Sequence, residues 1–430
     1  MCYCICFTVL KKYKKMIAGP GMTMLHVIIF LRYCIVPLSI SLNNSLDIYA
    51  KDYNHIGAAI IIMIIEMLSI FVTLFLIKEK SFPKEKPVSE DASFVRFTRN
   101  DVFAIVIILV IACIIVCVPS VLGSFYLLFS NTEYNNIVYN VPGPVWMLWK
   151  AAIAFIYVYV IVILKRSGYS ETTKVVFSVI LSVTYLVHIY IGQAVISRWY
   201  LVTSSIASCF LLAESYPRRK KPIVIAIMLP VAIILITASM TKNTDIVFSD
   251  SRDLITAVKA LFSPTNMDTY FAGPVSVNNA IGMVLNRDVS ILNLPYDLLH
   301  NFPGLADHVD TTMVTNKIYN LWIFDGSDRF DQILPLVGQS LALFSWLGIP
   351  LLSIIDVRLI VLFDKKYSQS KDIRKYVYAF TGIWLGVAPI LNMTISISWF
   401  YVYIIPLYSV LWFYSKICTT EYVIFKKVDL

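Results

Sequence analysis

Side chains that carry acid–base or nucleophilic chemistry are scarce in this chain: 430 residues hold five histidines, and only 15% are charged. No Gly-x-Ser-x-Gly elbow, P-loop, Asp-x-Asp sugar-nucleotide motif, His-Glu-x-x-His or paired Cys-x-x-Cys occurs. These absences set aside P-loop nucleotide hydrolysis and elbow-type serine hydrolysis, and give no support to a metal site or a cofactor. The eight cysteines avoid the one long polar region. Cys34, Cys113, Cys117 and Cys209 lie in apolar runs and Cys2, Cys4, Cys6 and Cys418 near the ends, so no disulfide framework is implied.

What is present is overwhelmingly apolar, with 58% hydrophobic residues and a mean hydropathy of +0.73. Soluble domains hold about 45–50% apolar residues, so the bilayer is the expected solvent. Apolar runs predict spans at 22–41, 55–77, 102–119, 145–164, 175–193, 199–214, 222–240, 341–363, 377–394 and 397–415. The expected fold is an all-α, polytopic bundle of about ten transmembrane helices, one integral-membrane domain over 1–430 with a large external loop at 241–340. Residues 1–10 are apolar but too short to span and lack a small-residue cleavage site, which reads as a shortened start and not a signal peptide.

The net charge of +9 would suit nucleic acid if it were clustered on one surface. Instead the basic residues gather at 11–15, 78–99, 165–174, 218–221, 365–375 and 416–427, in alternate loops. That alternation is the positive-inside pattern; it places both termini in the cytoplasm and argues against a nucleic-acid partner. The 241–340 segment then lies outside. Eleven aspartates there outnumber six lysines and arginines, a balance suited to a neutral or sugar-like substrate with arginines acting locally.

Candidate chemistry divides between spans and loop. Arg32, near the middle of the first span, and Arg198, between two closely joined spans, could hold phosphate by bidentate bonds; the bland alternative is snorkelling to headgroups. In the loop, Arg252, Arg287 and Arg329 stand beside Asp250, Asp253, Asp288 and Asp331, a pattern that also describes solvated ion pairs. His300 and His308 are candidates for a general base on a sugar hydroxyl. An amphipathic helix is expected at 252–262. Glu66, Asp356 and Arg358 are charges within spans; Glu66 reads as a buried hydrogen-bonded side chain, and Asp356 with Arg358 as approaching the cytoplasmic interface. The Gly382-x-x-x-Gly386 spacing reads as a close helix contact.

Phe30-Leu31-Arg32-Tyr33 leading to Pro37-Leu38, Ser197-Arg198 at the outer end of a span, Tyr270-Phe271-Ala272-Gly273-Pro274 with Asn278 and Asn279, and Leu334-Pro335 before the next span form a pattern over about residues 20–415. It resembles Wzy-type oligosaccharide repeat-unit polymerases, the O-antigen and capsular polysaccharide polymerase family. The resemblance implies a fold related to C-class lipid-dependent glycosyltransferases and transfer of a growing glycan from undecaprenyl pyrophosphate to a new lipid-linked repeat unit, without a metal. It implies pyrophosphate contacts at Arg198 and Arg32 and a sugar site shaped by the 270–274 turn, with Tyr270 and with Gly273 allowing close backbone approach. Partners implied are the undecaprenyl-pyrophosphate-linked oligosaccharide, membrane lipid, a flippase and a chain-length regulator. Arg252, Arg287, Arg329 and His300 are chosen by position and chemistry. An Arg-x10-Gly pattern described for some family members is absent, since Cys209, Ser263, Leu298 and Ser340 stand eleven residues after Arg198, Arg252, Arg287 and Arg329. A glycan ligase and a flippase or exporter of lipid-linked oligosaccharide are the competing readings.

Overall fold

A computed structural model describes residues 19–46, 49–77, 99–122, 141–191, 198–242, 262–327 and 332–419. Among these, every regular element is helical. Six helices are long and apolar enough to cross a membrane. They are Pro20–Asn43 (α1), Ile56–Leu76 (α2), Gly143–Arg166 (α4), Glu171–Ile189 within the helix Glu171–Ile191 (α5), Trp346–Ser368, and Met393–Lys416 (α15). Helices also occupy the other predicted spans, as Arg99–Cys117 (α3), Arg198–Ser215 (α6), Lys220–Lys242 (α7) and Asp372–Val387 (α14).

Sequence and solvent together explain the helices. α2 is rich in isoleucine and phenylalanine, which have no special helix preference in water; in hydrocarbon every backbone donor must be satisfied internally, and a helix does that. Both its faces are apolar. Ile61, Ile65, Leu68, Val72 and Leu76 are exposed, whereas Ile62, Met63, Glu66, Met67, Ile70 and Leu74 are buried. A helix apolar all round belongs in lipid, and the one carboxylate on its inner face marks the side turned to the protein.

The closest helix pairing is α1 against α14, built on small residues. A Cβ added at Gly386 would lie 2.7 Å from the Gly21 carbonyl oxygen and 2.8 Å from Met24 Cβ, and one at Gly21 would lie 2.7 Å from the Gly382 carbonyl oxygen. The spacing read as a close contact is one, its partner being Gly21 on α1. Asp364 completes the joint by accepting from the backbone N–H groups of Gly21 (2.9 Å) and Met22 (2.8 Å), two orphan donors at the start of α1. At the same end of the bundle, one turn further along α13's sequence, Glu214 on α6 accepts from Tyr367 Oη (2.5 Å) and pairs with Lys375 Nζ (2.7 Å), which brings the ends of three helices together.

The described part of the polar region after α7 is folded, and much of it is inside the bundle. It holds Pro264–Phe271 (α8), Pro274–Asn286 (α9), Leu294–Leu299 (α10), Thr315–Ile323 (α11) and Leu336–Phe344 (α12). Val277 and Ile281 of α9 meet Val337 and Leu341 of α12 and Ala59, Ile62 and Met63 of α2 in one apolar cluster. The span expected at 341–363 is therefore two helices: α12, then Leu351–Ser368 (α13) after a break at Ser345, whose φ is +60°. Leu341 to Phe344 are apolar because protein covers them, and an apolar run does not say whether its cover is protein or lipid. The helix expected at 252–262 lies outside the described residues.

Candidate functional site

Three interruptions of helical geometry meet at Arg32. The first is its own: residues Leu31–Ile35 form a π-helical turn inside α1, a distortion that recurs at functional sites. The second is the end of α8, where Ala272 takes φ +52° and ψ +59°, left-handed geometry that costs a residue with a Cβ about 1–2 kcal/mol. The third is the stretch Ala388–Ile390, Leu391 and Asn392 between α14 and α15. α14 has 16 residues, about 24 Å of helix, and gives way to the 3-10 turn at Ala388–Ile390, which leaves the Pro389 carbonyl open to a side-chain donor.

Arg32 ties these together. It is fully buried; Nε donates to the Ala272 carbonyl and Nη1 to the Pro389 carbonyl, both at 2.9 Å, and Nη1 lies 2.8 Å from Glu66 Oε2. Glu66 is also fully buried and accepts from Tyr33 Oη and Ser353 Oγ, each at 2.9 Å. A buried ion pair survives only when its remaining bonds are satisfied, and here four partners from α1, α13 and the two irregular segments do most of that. Around this pair, Arg32 Nη2 and Asp356 Oδ2 are buried without a hydrogen-bond partner among the described residues. Asp356, one turn after Ser353 on α13, lies near enough to Glu66 for the two carboxyls to interact. It is 6% exposed, so it is covered by the surrounding helices.

The 270–274 turn that Arg32 grips is shaped by Asp268. This fully buried carboxylate accepts from the Val275 and Ser276 N–H groups at 2.9 Å and from Ser276 Oγ at 2.8 Å, capping α9 from outside. Burial pushes its pKa up, against the opposing pull of those bonds and of Arg32. Gly273 is required by space: a Cβ there would lie 2.5 Å from Asp268 Oδ2 and 2.7 Å from Val36 Cγ1. The close approach is thus to Asp268 and α1.

A second polar cluster joins the loop to α15. Asp297 on α10 accepts from the Thr315 backbone N–H (2.8 Å), from Thr315 Oγ1 and from Gln339 Nε2 (2.7 Å), and Gln339 Oε1 accepts from the Met393 N–H at 2.5 Å. Burial raises the Asp297 pKa against these bonds. One turn on, His300 is half-buried; desolvation lowers its pKa, with Asp297 opposing, and its Nδ1 has no hydrogen-bond partner. A neutral imidazole is the form a proton acceptor needs at pH 7.

α15 also carries a π-helical turn, Phe400–Ile404, and two functional candidates dock on it. From the loop, Phe302 packs edge-on against Tyr401 at 4.9 Å and Tyr401 Oη donates to the Leu298 carbonyl. From α4, Lys150 Nζ donates to Tyr403 Oη at 3.3 Å and lies 4.7 Å from that ring's centre and 5.2 Å from that of Trp146. Beside Lys150, Trp146, Trp149, Tyr185, His188 and Tyr200 wall a narrow recess of about 10 Å³, room for about one water. Tyr200 stacks on Tyr403 at 4.1 Å, and its neighbour Trp199 packs edge-on against Phe271 at 6.4 Å, which links the recess to the 270–274 turn.

The sequence-derived candidates distribute as follows. Arg32, Tyr270 and Gly273 come together around the turn; Arg198 opens α6, immediately before Trp199 and Tyr200. Arg287 is exposed, its guanidinium 6.0 Å from the Trp322 ring centre, on the far end of α9 from Gly273. Arg252, Arg329 and the side chain of Arg198 lie outside the described residues. His308 sits in a separate exposed turn. Among the described residues no group of three His, Cys, Asp or Glu is placed to hold a metal ion. Lys150 was missed by sequence reasoning, though a lysine inside an apolar span without an acid is a signal. Asp297, Gln339 and Asn392 carried no such signal. No family model, no curated protein and no solved structure matches the chain.

Proposed function

We propose that this chain is a lipid-linked glycan polymerase crossing the bacterial inner membrane about ten times, with both termini in the cytoplasm. It transfers the growing glycan from undecaprenyl pyrophosphate to the non-reducing end of a new lipid-linked repeat unit. The observation that carries this reading is the aromatic recess around Lys150. The rings hold Lys150 in place, and no carboxylate among the described residues lies within ion-pair distance of this cation, which leaves it for an anionic group.

In this reading His300 takes the proton from the acceptor hydroxyl. That oxygen forms a bond to the anomeric carbon of the donor glycan as the bond from that carbon to pyrophosphate breaks. The electron pair leaves with undecaprenyl pyrophosphate, whose charge is met by Lys150 and by Arg198, with Arg252 as a further candidate from the loop. Tyr270 and the turn beside it contribute to the sugar site, and Arg287 and Arg329 contact glycan nearer the surface. Arg32 acts as a positioning residue. Its charge is already matched by Glu66, and its bonds hold the turn in place.

The test is reconstitution of the full chain with lipid-linked repeat units. Lys150→Met should slow polymerisation by about 100- to 1,000-fold, the usual effect of losing one group that stabilises a developing anion, and Lys150→Arg should recover part of the rate. An unchanged rate in Lys150→Met would remove the recess from the mechanism. An exporter of lipid-linked oligosaccharide is the second reading, favoured by the unpartnered Asp356 carboxyl inside the spans. It predicts that Asp356→Asn stops movement of repeats across the membrane and not their joining.

A further inference from the structure

On the outside of the bundle, α2 and α13 leave an open groove of about 630 Å³ between them, within the roughly 300–1,000 Å³ typical of ligand sites. Its walls are apolar: Leu68, Val72 and Leu76 at helical spacing on α2, and Ile354, Val361 and Leu362 on α13. Two cations also line it, Arg358 and Lys365. Seven residues apart, they share a face of α13 and stand about 10 Å apart along the axis. Both are exposed, and neither side chain has a hydrogen-bond or ion-pair partner among the described residues.

The position of Arg358 makes this unusual. It lies near the middle of the span Trp346–Ser368, about 15 Å from the Ser368 end, beyond the reach of one side chain. Its neighbours Ile355, Leu359 and Leu362 are 46%, 39% and 45% exposed, so the same face meets lipid. An arginine at the centre of a lipid-facing helix is disfavoured by about a hundredfold unless an anion or water reaches it. Lys365, beside Lys366 at the basic end of α13, is placed at the interface and can pass an anion inward.

We infer that the groove binds an anionic glycerophospholipid of the leaflet at the basic end of the bundle, its phosphate held between Arg358 and Lys365 and an acyl chain lying along Leu68, Val72 and Leu76. Basic pockets between membrane helices recognise such headgroups by charge, each cation adding several-fold to affinity. Charge complementarity selects the anion, and the apolar walls select a lipid over free phosphate. The site is separate from Lys150 and from the Arg32 node, so it does not depend on the proposed reaction.

The experiment is native mass spectrometry of the full chain released from nanodiscs of phosphatidylglycerol and phosphatidylcholine in equal amounts. The wild-type chain should retain phosphatidylglycerol preferentially. Arg358→Gln with Lys365→Gln should reduce that retention about tenfold or more. Val72→Trp, which fills the groove without changing charge on a lipid-facing position, should reduce it too. Melting in pure phosphatidylcholine checks that each variant is folded, and at least Val72→Trp should match the wild type. Equal retention of the two lipids by the wild type, undiminished phosphatidylglycerol in the charge variant, or displacement of phosphatidylglycerol by added polyprenyl phosphate but not by free phospholipid would each overturn the assignment.

Discussion

Arg32 joins α1 to two irregular backbone segments and to Glu66 through one buried side chain. Removing one member of a buried ion pair strands the other, at a cost of about 3–5 kcal/mol, whereas replacing both with apolar groups of similar volume is often neutral. Arg32→Met and Glu66→Leu should therefore each lower the melting temperature sharply in detergent. The double variant should recover most of the loss in folding and yet remain inactive, because the Ala272 and Pro389 carbonyls lose their donor. A double variant as unstable as the singles would show that the guanidinium's carbonyl bonds, and not charge matching, dominate. His300 gives a second test at this scale. Burial lowers its pKa from 6.5, so the imidazole stays neutral at pH 7 and its basic form is lost only as pH falls through the lowered value. Polymerisation should hold its rate down to pH 6.5 and decline below it, and His300→Gln should lose about 10²- to 10⁴-fold and the acid limb together. A decline already complete above pH 6.5 would assign the limb to another group.

The elements matter through where they stop being regular. The π-helical turns at Leu31–Ile35 and Phe400–Ile404, the early end of α14 and the left-handed Ala272 all face the region where the loop enters the bundle. The small-residue joint of α1 and α14 sets the alignment of Arg32 with Pro389. Gly386→Leu should force these helices apart, since even a Cβ there meets backbone at 2.7 Å. Loss of stability with a displaced Arg32, read by melting and by activity, is the expected result, whereas Leu347→Ala, at a fully exposed position, should be silent. The helices were readable as apolar runs, and the Gly382 and Gly386 contact was readable from its spacing. The burial of α9 and α12 was not, because in a membrane protein the lipid face and the protein face are both apolar and periodicity no longer separates them. The break at Ser345 falls inside one continuous apolar run for the same reason.

At the scale of the molecule, a polar insertion is folded back into a helical bundle and fixed there by two buried polar clusters, one on Arg32 and one on Asp297. Both anchors use irregular backbone near the start of α15, so the loop and the membrane helices form one body around the candidate site. Sequence reasoning located part of that site. Arg32 and the 270–274 turn were singled out separately and proved to be in contact. Lys150 stands just after Trp146 and Trp149 near the start of a span, where tryptophans and lysines are common as interface anchors, and Asp297 is one of eleven loop aspartates with nothing in the sequence to mark it as buried. The most direct measurement is the size of the surface glycan, and the location of lipid-linked repeats, in a host lacking this protein and resupplied with either the wild-type chain or Lys150→Met. A polymerase predicts that long chains vanish while single repeats accumulate on the outer face, and that only the wild-type chain restores length. Repeats trapped on the cytoplasmic face would contradict the account and make the protein an exporter.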